Sequence, residues 1–448
     1  MHRIVVVGGG WAGCAAAISA AKQGAETTLI ERTDMLLGTG LVGGIFRNNG
    51  RFTAAEEAIA LGGGDLFHVM DANALHRDIE FPGHKHASLY DVNTIERAVR
   101  MALDRAGVKT RMMTRIIDVE VEDGRFRSVT AGEDAAAVRF EADAFVDATG
   151  TSGVPRTCNL HGNGCSMCVL RCHTFGNRVS VAGRAGIEEM VGHKGDRIGA
   201  MSGACEFVKE SLSPEIIETL KRTGVVVVPI PAHLRAKEDK LGTKCCQQYA
   251  SADYSDNIVL LDTGHPKLMT TYIPLSVLYQ TPGFENARYH DPIAGGIGNS
   301  IRYMAMTPRD NALLADGTRN LFVAGEKAGC LVGHTEAIVT GTLAGYNAVR
   351  EAAGDEHCVL PETLAIGDVI AYVRERMKTE DGLALKYTFS GSVYFDHMKE
   401  RGLYSVDVAE IRARVAAAGL TSIFDPRGFD QRGSLADDLG PYASVAAQ

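Results

Sequence analysis

The sequence RIVVVGGGWAGCAAAISAAKQGAETTLIE, residues 3–31, contains the pattern from which the fold can be predicted. Its first five residues are apolar and mostly β-branched, which predicts a strand buried on both faces of a parallel sheet. An Ala-rich helix is predicted over residues 12–23, because the run ends at a glycine. A second strand is predicted over residues 27–30. Together these elements form one complete βαβ unit.

The turn between the first strand and the helix carries the dinucleotide-binding fingerprint. Gly8, Gly10 and Gly13 occupy the positions that allow a tight turn, close approach of a pyrophosphate, and close packing of helix on strand. Glu31 ends the second strand, where a carboxylate accepts hydrogen bonds from an adenosine ribose. We include its neighbour Arg32 among the predicted cofactor-binding residues. The alternative is an empty βαβ unit whose glycines serve packing only.

Composition indicates an ordinary globular protein of two or three domains. The chain has 448 residues, 45% of them hydrophobic, and 50 glycines. Its net charge of −9 argues against nucleic acid and anionic membranes as partners. No signal peptide and no apolar run of membrane-spanning length is recognised, so we expect a soluble, cytoplasmic protein. The sequence leaves oligomerisation open.

Several further elements can be predicted beyond the first unit. Asp91 is interpreted as the N-cap of a helix, and Pro-bounded strands are expected near residues 269–279. His84 and His86 are interpreted as residues of a solvated loop, with metal binding as the alternative. Strand-like runs that suit an antiparallel meander lie at residues 110–120, 126–131 and 137–140.

Three separated segments resemble FAD-dependent oxidoreductases of the glutathione-reductase-like type. They are VVVGGGWAG at 5–13, AFVDATG at 144–150 and TRNLFVAGEKAG at 318–329. NAD enzymes show the first segment without the later pair, so the resemblance implies FAD as the cofactor. It also implies that Thr149, Gly150, Gly325 and Glu326 bind this FAD.

The segment GCLVGHTEAIVTGTLAGYNAVR at 329–350 is similar to the closing helix of the tRNA-modifying flavoproteins of the MnmG and TrmFO type. The amino-terminal cysteine-containing segment expected of the folate-dependent methyltransferases is not found. The resemblance adds Gly333 and Thr335 to the expected FAD-binding residues. A helix amino terminus here would stabilise the negative charge of reduced flavin.

The predicted fold class is α/β. A Rossmann-like FAD-binding domain with an inserted β-meander is assigned to residues 1–150 and 301–352. An α+β substrate domain is assigned to residues 151–300, and a helical region with a tail to residues 353–448.

Three residues are candidates for catalysis. His334 or Lys327 could give the flavin a cationic hydrogen bond, although His334 could instead merely pack at the helix start. His290 is a candidate general acid with Arg302 as an anion clamp, the alternative being an ordinary polar loop.

Four cysteines are clustered directly after residue 150 as C-x6-C-x2-C-x3-C. Thiolates at this spacing can hold an iron–sulfur cluster or zinc, and His173 could replace one of them in a zinc site. A thiol–disulfide relay and inert cysteines are the alternatives. The four residues are Cys158, Cys165, Cys168 and Cys172.

These features predict an FAD-dependent oxidoreductase that acts on an unidentified small molecule and passes electrons through the cysteine centre. No second dinucleotide fingerprint is found, so electrons would come from transient nicotinamide binding, from the substrate or from a redox protein partner. One alternative is a flavin-containing electron-transfer subunit of a larger complex. The other is a tRNA-modifying flavoenzyme.

Overall fold

The structure is a computed structural model. It describes residues 1–132, 137–150, 179–194, 197–198, 200–201, 205–235, 249, 251–270, 273–290, 301–302 and 304–425. Its strands are β1 (Arg3–Val7), β2 (Glu26–Ile30), β3 (Ile45–Phe46), β4 (Ala74–Phe81), β5 (His84–Tyr90), β6 (Lys109–Arg111), β7 (Ile116–Glu122), β8 (Arg125–Ala131), β9 (Val138–Glu141), β10 (Ala144–Asp147), β11 (Met190–Lys194), β12 (Arg197–Ile198), β13 (Ala200–Met201), β14 (Cys205–Glu206), β15 (Val225–Pro229), β16 (Asn257–Asp262), β17 (Pro266–Leu268), β18 (Ile301–Arg302), β19 (Met304–Met306) and β20 (Leu321–Val323). Its α-helices are α1 (Trp11–Lys22), α2 (Gly50–Ala60), α3 (Asp65–Ala72), α4 (Ile95–Arg105), α5 (Val181–Arg184), α6 (Pro214–Thr223), α7 (Ala252–Ser255), α8 (Leu275–Leu278), α9 (His334–Ala353), α10 (Ala365–Arg376), α11 (Glu380–Leu383), α12 (Ser392–Glu400) and α13 (Val408–Ala417).

A parallel sheet in the order β20-β10-β1-β2-β6 forms the centre of the fold. The central strand β1 pairs with β2 on one side and β10 on the other, so both of its hydrogen-bonding edges are paired. This confirms the predicted βαβ unit and the return of the chain to the sheet at β10. The predicted α/β fold class is confirmed.

Helices α1 and α9 pack unusually closely against each other. A Cβ atom on Gly341 would lie 2.1 Å from the carbonyl oxygen of Ala12, and one on Gly345 would lie 2.1 Å from that of Ala16. Because only glycine fits at such distances, the two main chains can come into direct contact. This contact fixes the amino termini of both helices relative to the carboxyl ends of β1 and β20.

The antiparallel meander is present as β7-β8-β9. The predicted strand over residues 110–120 is divided in two, because Lys109–Arg111 joins the edge of the parallel sheet and only the later part belongs to the meander. The prediction that Asp91 is a helix N-cap was wrong. Helix α4 begins at Ile95, and the Asp91 carboxylate accepts a hydrogen bond from the Asn93 backbone N–H. The side chain of Asp91 therefore closes a local turn before the helix.

A second sheet in the order β14-β17-β16-β15 has two buried faces. One face carries Cys205, Leu260 and Leu268 and packs on helix α6. The other face carries Val259 and Leu261 and packs on the small sheet of β3, β4 and β5. The second sheet is thereby attached directly to the part of the chain that precedes helix α4.

Two details of this region differ from the sequence predictions. Residues 269–279 are not strands throughout, because the Leu275–Leu278 segment is a short helix. His84 does not lie in a solvated loop: it starts strand β5, is 2% exposed, and its Nδ1 lies 3.0 Å from the Asn48 side-chain nitrogen. Burial lowers the pKa of His84 to about 3, so the ring is neutral. The metal-binding alternative gains no support, since no group of three or more His, Cys, Asp or Glu side chains with metal-site geometry occurs in the described residues.

The region after helix α9 is helical, as predicted. Asp407 caps α13 by accepting from the backbone N–H groups of Ala409 and Glu410, at 2.8 and 3.3 Å. None of the helices in the described part of the chain has the length and apolar character needed to cross a membrane. The boundaries of the predicted domains remain predictions.

Candidate functional site

The glycine turn after β1 combines two crowded positions with one open position. Gly8 has φ of +104°, and a Cβ atom there would lie 2.4 Å from the Ala148 carbonyl oxygen. A Cβ atom on Gly13 would lie 1.7 Å from the Gly8 carbonyl oxygen. Gly10, in contrast, has no atom of the described residues within 4 Å of its added Cβ atom. The space beside Gly10 is therefore open to a ligand.

This open space lies at the amino terminus of α1. Gly10 is the N-cap, no side chain caps the helix, and its first turn contains no acidic residue. The first N–H groups of the helix and the positive end of its dipole are thus available to an anion. The geometry is that of a phosphate-binding turn.

Glu31 borders the same turn at the end of β2. Its carboxylate accepts a hydrogen bond from the Gly9 backbone N–H at 2.8 Å and from the Thr33 backbone N–H at 2.8 Å. These contacts hold the half-buried carboxylate beside the glycine turn, where the sequence predicts ribose binding. Arg32 follows with a half-buried side chain. The roles of both residues toward a ribose remain predictions.

The predicted residues after β10 lie next to β1. The Asp147 carboxylate accepts from the Thr149 hydroxyl at 2.6 Å and from the Ala182 backbone N–H at 3.0 Å. Gly150 has φ of +68°. Asp147 therefore shapes the strand end, and no described residue other than its chain neighbours comes within 4 Å of an added Cβ atom at Gly150.

A third approach to the same region comes from the turn after β20. Gly325 has φ of +64°, and its N–H donates to the Thr340 hydroxyl at 2.9 Å. Glu326 follows in a short 3-10 helix. Lys327 is fully buried and forms an ion pair with Glu189, which is itself 2% exposed at its side chain. The Glu189 carboxylate compensates the charge of the Lys327 ammonium group. The predicted cationic hydrogen bond from Lys327 to the flavin therefore stays a prediction, and this ion pair does not support it.

The amino terminus of α9 is built around a buried ion pair. Gly333 has φ of +142°, and an added Cβ atom would lie 1.9 Å from Nη2 of Arg51. The Arg51 guanidinium lies 3.1 Å from the carboxylate of Glu336, which also accepts from the Phe389 backbone N–H at 2.8 Å. Arg51 also donates to the Thr388 hydroxyl at 3.0 Å. The helix start is thus held by side chains from two other segments.

The hydroxyl of Thr335 is buried and has no hydrogen-bond partner among the described residues. Buried hydroxyls normally have a partner, so an orphaned one at a helix start indicates a ligand position. Thr335 belongs to the predicted cofactor-binding set. Its orphaned oxygen is consistent with that prediction.

His334 lies in an aromatic cluster at the same helix end. Its ring centroid is 5.9 Å from that of Trp11 and 5.9 Å from that of Tyr90, and its Nδ1 is 3.3 Å from the Tyr90 hydroxyl. The ring covers Gly43, whose added Cβ atom would lie 1.7 Å from Cε1 of His334. His334 therefore packs at the helix start, and whether it also contacts flavin stays open.

The other candidates for chemistry are placed differently. His290 is exposed beside the second sheet, where its ring lies against that of His265 with centroids 3.9 Å apart and the ring planes tilted by 39°. The predicted clamp Arg302 is part of β18. The metal ligands Cys158, Cys165, Cys168 and Cys172, and the alternative ligand His173, lie outside the described residues. Their prediction stays a prediction.

The candidate site also contains Arg51, Trp11 and Tyr90, which the sequence did not predict. Trp11 stands inside the fingerprint, but no rule for that motif assigns a role to its side chain. Arg51 follows two asparagines in a polar stretch with no recognised spacing. Their importance appears only when α2, β5 and α9 are brought together in space.

Comparisons with known proteins agree with this geometry. The family described as FAD dependent oxidoreductase matches residues 3–160, which contain the glycine turn, Glu31 and the β10 strand end. The family described as Glucose inhibited division protein A matches residues 259–356, which contain the β20 turn and helix α9. Both families therefore cover the approaches to the candidate site.

Individual relatives match over a short part of their length. Methylenetetrahydrofolate–tRNA-(uracil-5-)-methyltransferase TrmFO of Streptococcus sanguinis (strain SK36) is 35% identical over 98 residues, which are 22% of this chain and 21% of the relative. The same enzyme of Streptococcus suis (strain 05ZYH33) is 32% identical over 98 residues. The matching region thus spans about a fifth of these relatives.

The fold is similar to that of GidA from Aquifex aeolicus. The form II crystal structure gives a TM-score of 0.69 at 17% identity and covers 98% of this chain and 76% of the GidA chain. The form I structure gives 0.64 at 16% identity and covers 98% of this chain and 78% of the other. Residues 3–160 of this chain are thus similar to the FAD dependent oxidoreductase family, and residues 259–356 are similar to the Glucose inhibited division protein A family.

Proposed function

We propose that this protein is an FAD-dependent enzyme that modifies a nucleotide of tRNA. FAD binding is proposed from one observation. The open glycine turn at the start of α1 and the Thr335 hydroxyl without a partner among the described residues, at the start of α9, lie close to each other. The pyrophosphate would lie at Gly10 and the α1 amino terminus, with the ribose at Glu31. The flavin would extend toward Thr335 and the amino terminus of α9.

The residues fit FAD because each polar end of the cofactor meets a matching group. An anion finds free helix N–H groups at α1, and a ribose finds the Glu31 carboxylate. Bound FAD supplies the ability to accept or donate a pair of electrons. The residues of this chain would bind and orient it, and the backbone N–H groups at the start of α9 would stabilise the edge of the flavin that becomes negative.

The tRNA part of the proposal is supported by the relatives. TrmFO carries tRNA in its name, and it matches this chain at 35% identity over 98 residues. The fold similarity to GidA extends over 98% of this chain. The net charge of −9 led us to expect no nucleic acid, but a summed charge does not describe a local binding surface. The expectation against nucleic acid is therefore no longer favoured.

The experiment is a comparison of tRNA nucleosides from cells that contain or lack the gene. Mass spectrometry of digested bulk tRNA should reveal one nucleoside that disappears with the gene. The wild-type gene should restore this nucleoside, whereas Gly10→Val should not, because it blocks the cofactor position. Unchanged nucleosides in the deletion strain would contradict the tRNA assignment.

A small-molecule oxidoreductase is the second candidate, and the negative net charge favours it. Such an enzyme would bind FAD in the same place but would show no affinity for tRNA. It would reduce or oxidise its flavin with a small metabolite alone, whereas an electron-transfer subunit would need its protein partner. Anaerobic absorption spectra with metabolite mixtures, followed in the flavin bands, distinguish these cases.

A further inference from the structure

The last described residues of the chain pack against the helices that lead to the candidate site. After α13 the chain returns as residues 422–425, which lie at the end of α2. The Ser422 backbone N–H donates to the Ala60 carbonyl oxygen at 2.9 Å. The Phe424 backbone N–H donates to the Leu61 carbonyl oxygen at 2.8 Å. We call residues 422–425 the strap.

The strap contains one buried aromatic side chain. Phe424 is 3% exposed, and its ring lies against that of Tyr346 in the second half of α9, with centroids 5.1 Å apart and the ring planes at 72°. Its backbone carbonyl accepts a hydrogen bond at 3.0 Å from the side-chain amide of Gln23, the residue that ends α1. The strap therefore contacts both α1 and α9 through the same residue.

A buried lysine connects the strap to the start of α3. The Lys22 ammonium donates to the Asp65 carboxylate and to the Gly62 carbonyl, both at 2.8 Å. Its distance to the Asp425 carboxylate of the strap is longer, at 3.7 Å. The Lys22 side chain is only 4% exposed, so its charge needs a partner. Because Asp65 supplies that partner, the strap can open without leaving the ammonium unpaired.

A cleft of about 240 Å³ lies beside the Phe424 ring, between α1, α3 and α9. Its lining includes Ile18 of α1, Leu66 of α3 and Ile338 of α9, together with Phe424 itself. Protein interiors are normally close-packed, and atoms that line an unfilled space lack contacts on one side. Loss of the Phe424 ring would widen this cleft, so that α1 and α9 gain freedom relative to each other.

The backbone of the strap is held in an uncommon conformation. Ser422 has φ of +56°, a left-handed value that residues other than glycine rarely adopt. Such a conformation persists only where surrounding contacts impose it, so opening of the strap relieves it. Apart from Phe424, the residues of the strap are half-buried or exposed. With few buried apolar contacts, the strap resembles the segments of proteins that open locally without global unfolding.

We infer that the strap responds to the cofactor: when docked it holds α1 against α9 in the arrangement that binds FAD, and bound FAD in turn keeps it docked. Each of the two helices has its amino terminus at the proposed FAD site and a later part at the strap. Coupling of this kind is reciprocal, so FAD must favour the docked strap by the factor by which the docked strap favours FAD. In protein without FAD the strap opens more often and exposes Phe424. The inference rests on the FAD part of the proposed function and is independent of the tRNA part.

Hydrogen exchange of the flavin-free protein, followed by mass spectrometry, tests the coupling from strap to helix. Phe424→Ala should speed exchange in the strap and, by about fivefold or more, in the α1 peptide. Gln23→Ala removes only the hydrogen bond to the Phe424 carbonyl and should act in the same direction on a smaller scale. Phe284→Ala is the control, because that ring is also fully buried but lies in the core of the second sheet. Exchange of the α1 peptide that stays at the wild-type rate in Phe424→Ala would overturn the inference, since the strap would then be a local brace.

Addition of FAD tests the coupling from cofactor to strap. Saturating FAD should slow exchange of the wild-type strap by about fivefold or more, the lower end of the usual range for coupled sites, and Phe424→Ala should bind FAD more weakly by a similar factor. FAD that binds wild type without changing exchange in the strap would overturn the inference and leave the cofactor assignment intact. Failure of wild type to bind FAD would instead contradict the proposed function, and the flavin-free comparison would then decide by itself whether strap and helices are coupled.

Discussion

The amino termini of α1 and α9 both follow a glycine and lie side by side, yet they are built in opposite ways. At α1 the N-cap Gly10 has open space around it and the first turn is free of acidic residues. At α9 the N-cap Gly333 is crowded by Arg51, and the first turn contains Glu336. We call the amino terminus of α1 the open terminus and the amino terminus of α9 the filled terminus.

The difference indicates a division of labour between the two helix starts. An open terminus can receive the doubly charged pyrophosphate directly through its N–H groups. A terminus fixed by a buried ion pair keeps its geometry without ligand, as electrostatic stabilisation of a developing charge requires. Substitutions at the two ends should therefore separate effects on binding from effects on folding.

The largest loss of stability is expected from a substitution at Gly13, which lies in the first turn of α1 and packs on the Gly8 carbonyl. Gly13→Ala places a Cβ atom 1.7 Å from the Gly8 carbonyl oxygen, so helix α1 must move away from β1. We expect a loss of more than about 3 kcal/mol in the free energy of unfolding, which exceeds the usual cost of overpacking. Urea denaturation followed by circular dichroism measures it. A stability equal to that of wild type would show that the turn is not packed as described.

The filled terminus should show a loss of stability of similar size. Arg51→Ala leaves the Glu336 carboxylate buried without its cation, and breaking a buried ion pair in this way typically costs about 3–5 kcal/mol. The double variant Arg51→Ala/Glu336→Ala should lose less than the sum of the two single variants in the same denaturation assay. Strict additivity would mean that the two side chains do not interact.

Gly10→Val tests the open terminus itself. No described atom lies within 4 Å of the added Cβ, so the protein should fold with a stability change of about 1 kcal/mol, the scale of an N-cap substitution. FAD, in contrast, should be lost during gel filtration, because the side chain fills the pyrophosphate position. The flavin-to-protein absorbance ratio records this loss. Protein that stays fully yellow would argue against the assignment.

The smallest effect is expected at the ribose end of the open terminus. Glu31→Gln keeps one acceptor for the Gly9 backbone N–H but removes the charge. Since hydrogen bonds to charged groups contribute about 1.5–3 kcal/mol, FAD binding should weaken about tenfold or more. Isothermal titration calorimetry gives the dissociation constant, with Glu26→Gln on the exposed strand start as the control. Equal affinity in both variants would remove Glu31 from the site.

The open terminus could be predicted from the sequence because its motif is local. Gly8, Gly10, Gly13 and Glu31 fall within one βαβ unit, so their spacing alone determines their places. The filled terminus could not, since Arg51 and Glu336 are 285 residues apart and meet only through the packing of α2 on α9. The motif around Lys327 predicts a lysine that is available to the flavin. It does not reveal the ion pair with Glu189, because Glu189 comes from a distant segment.

Binding of FAD across these two helix starts can be followed through Trp11, the first residue of α1. FAD added to flavin-free protein should quench the fluorescence of this single tryptophan, with saturation at one FAD per chain. We expect saturable quenching in wild type and none in Gly10→Val after correction for absorption by free flavin. Equal quenching in both proteins, or no saturation in wild type, would contradict it.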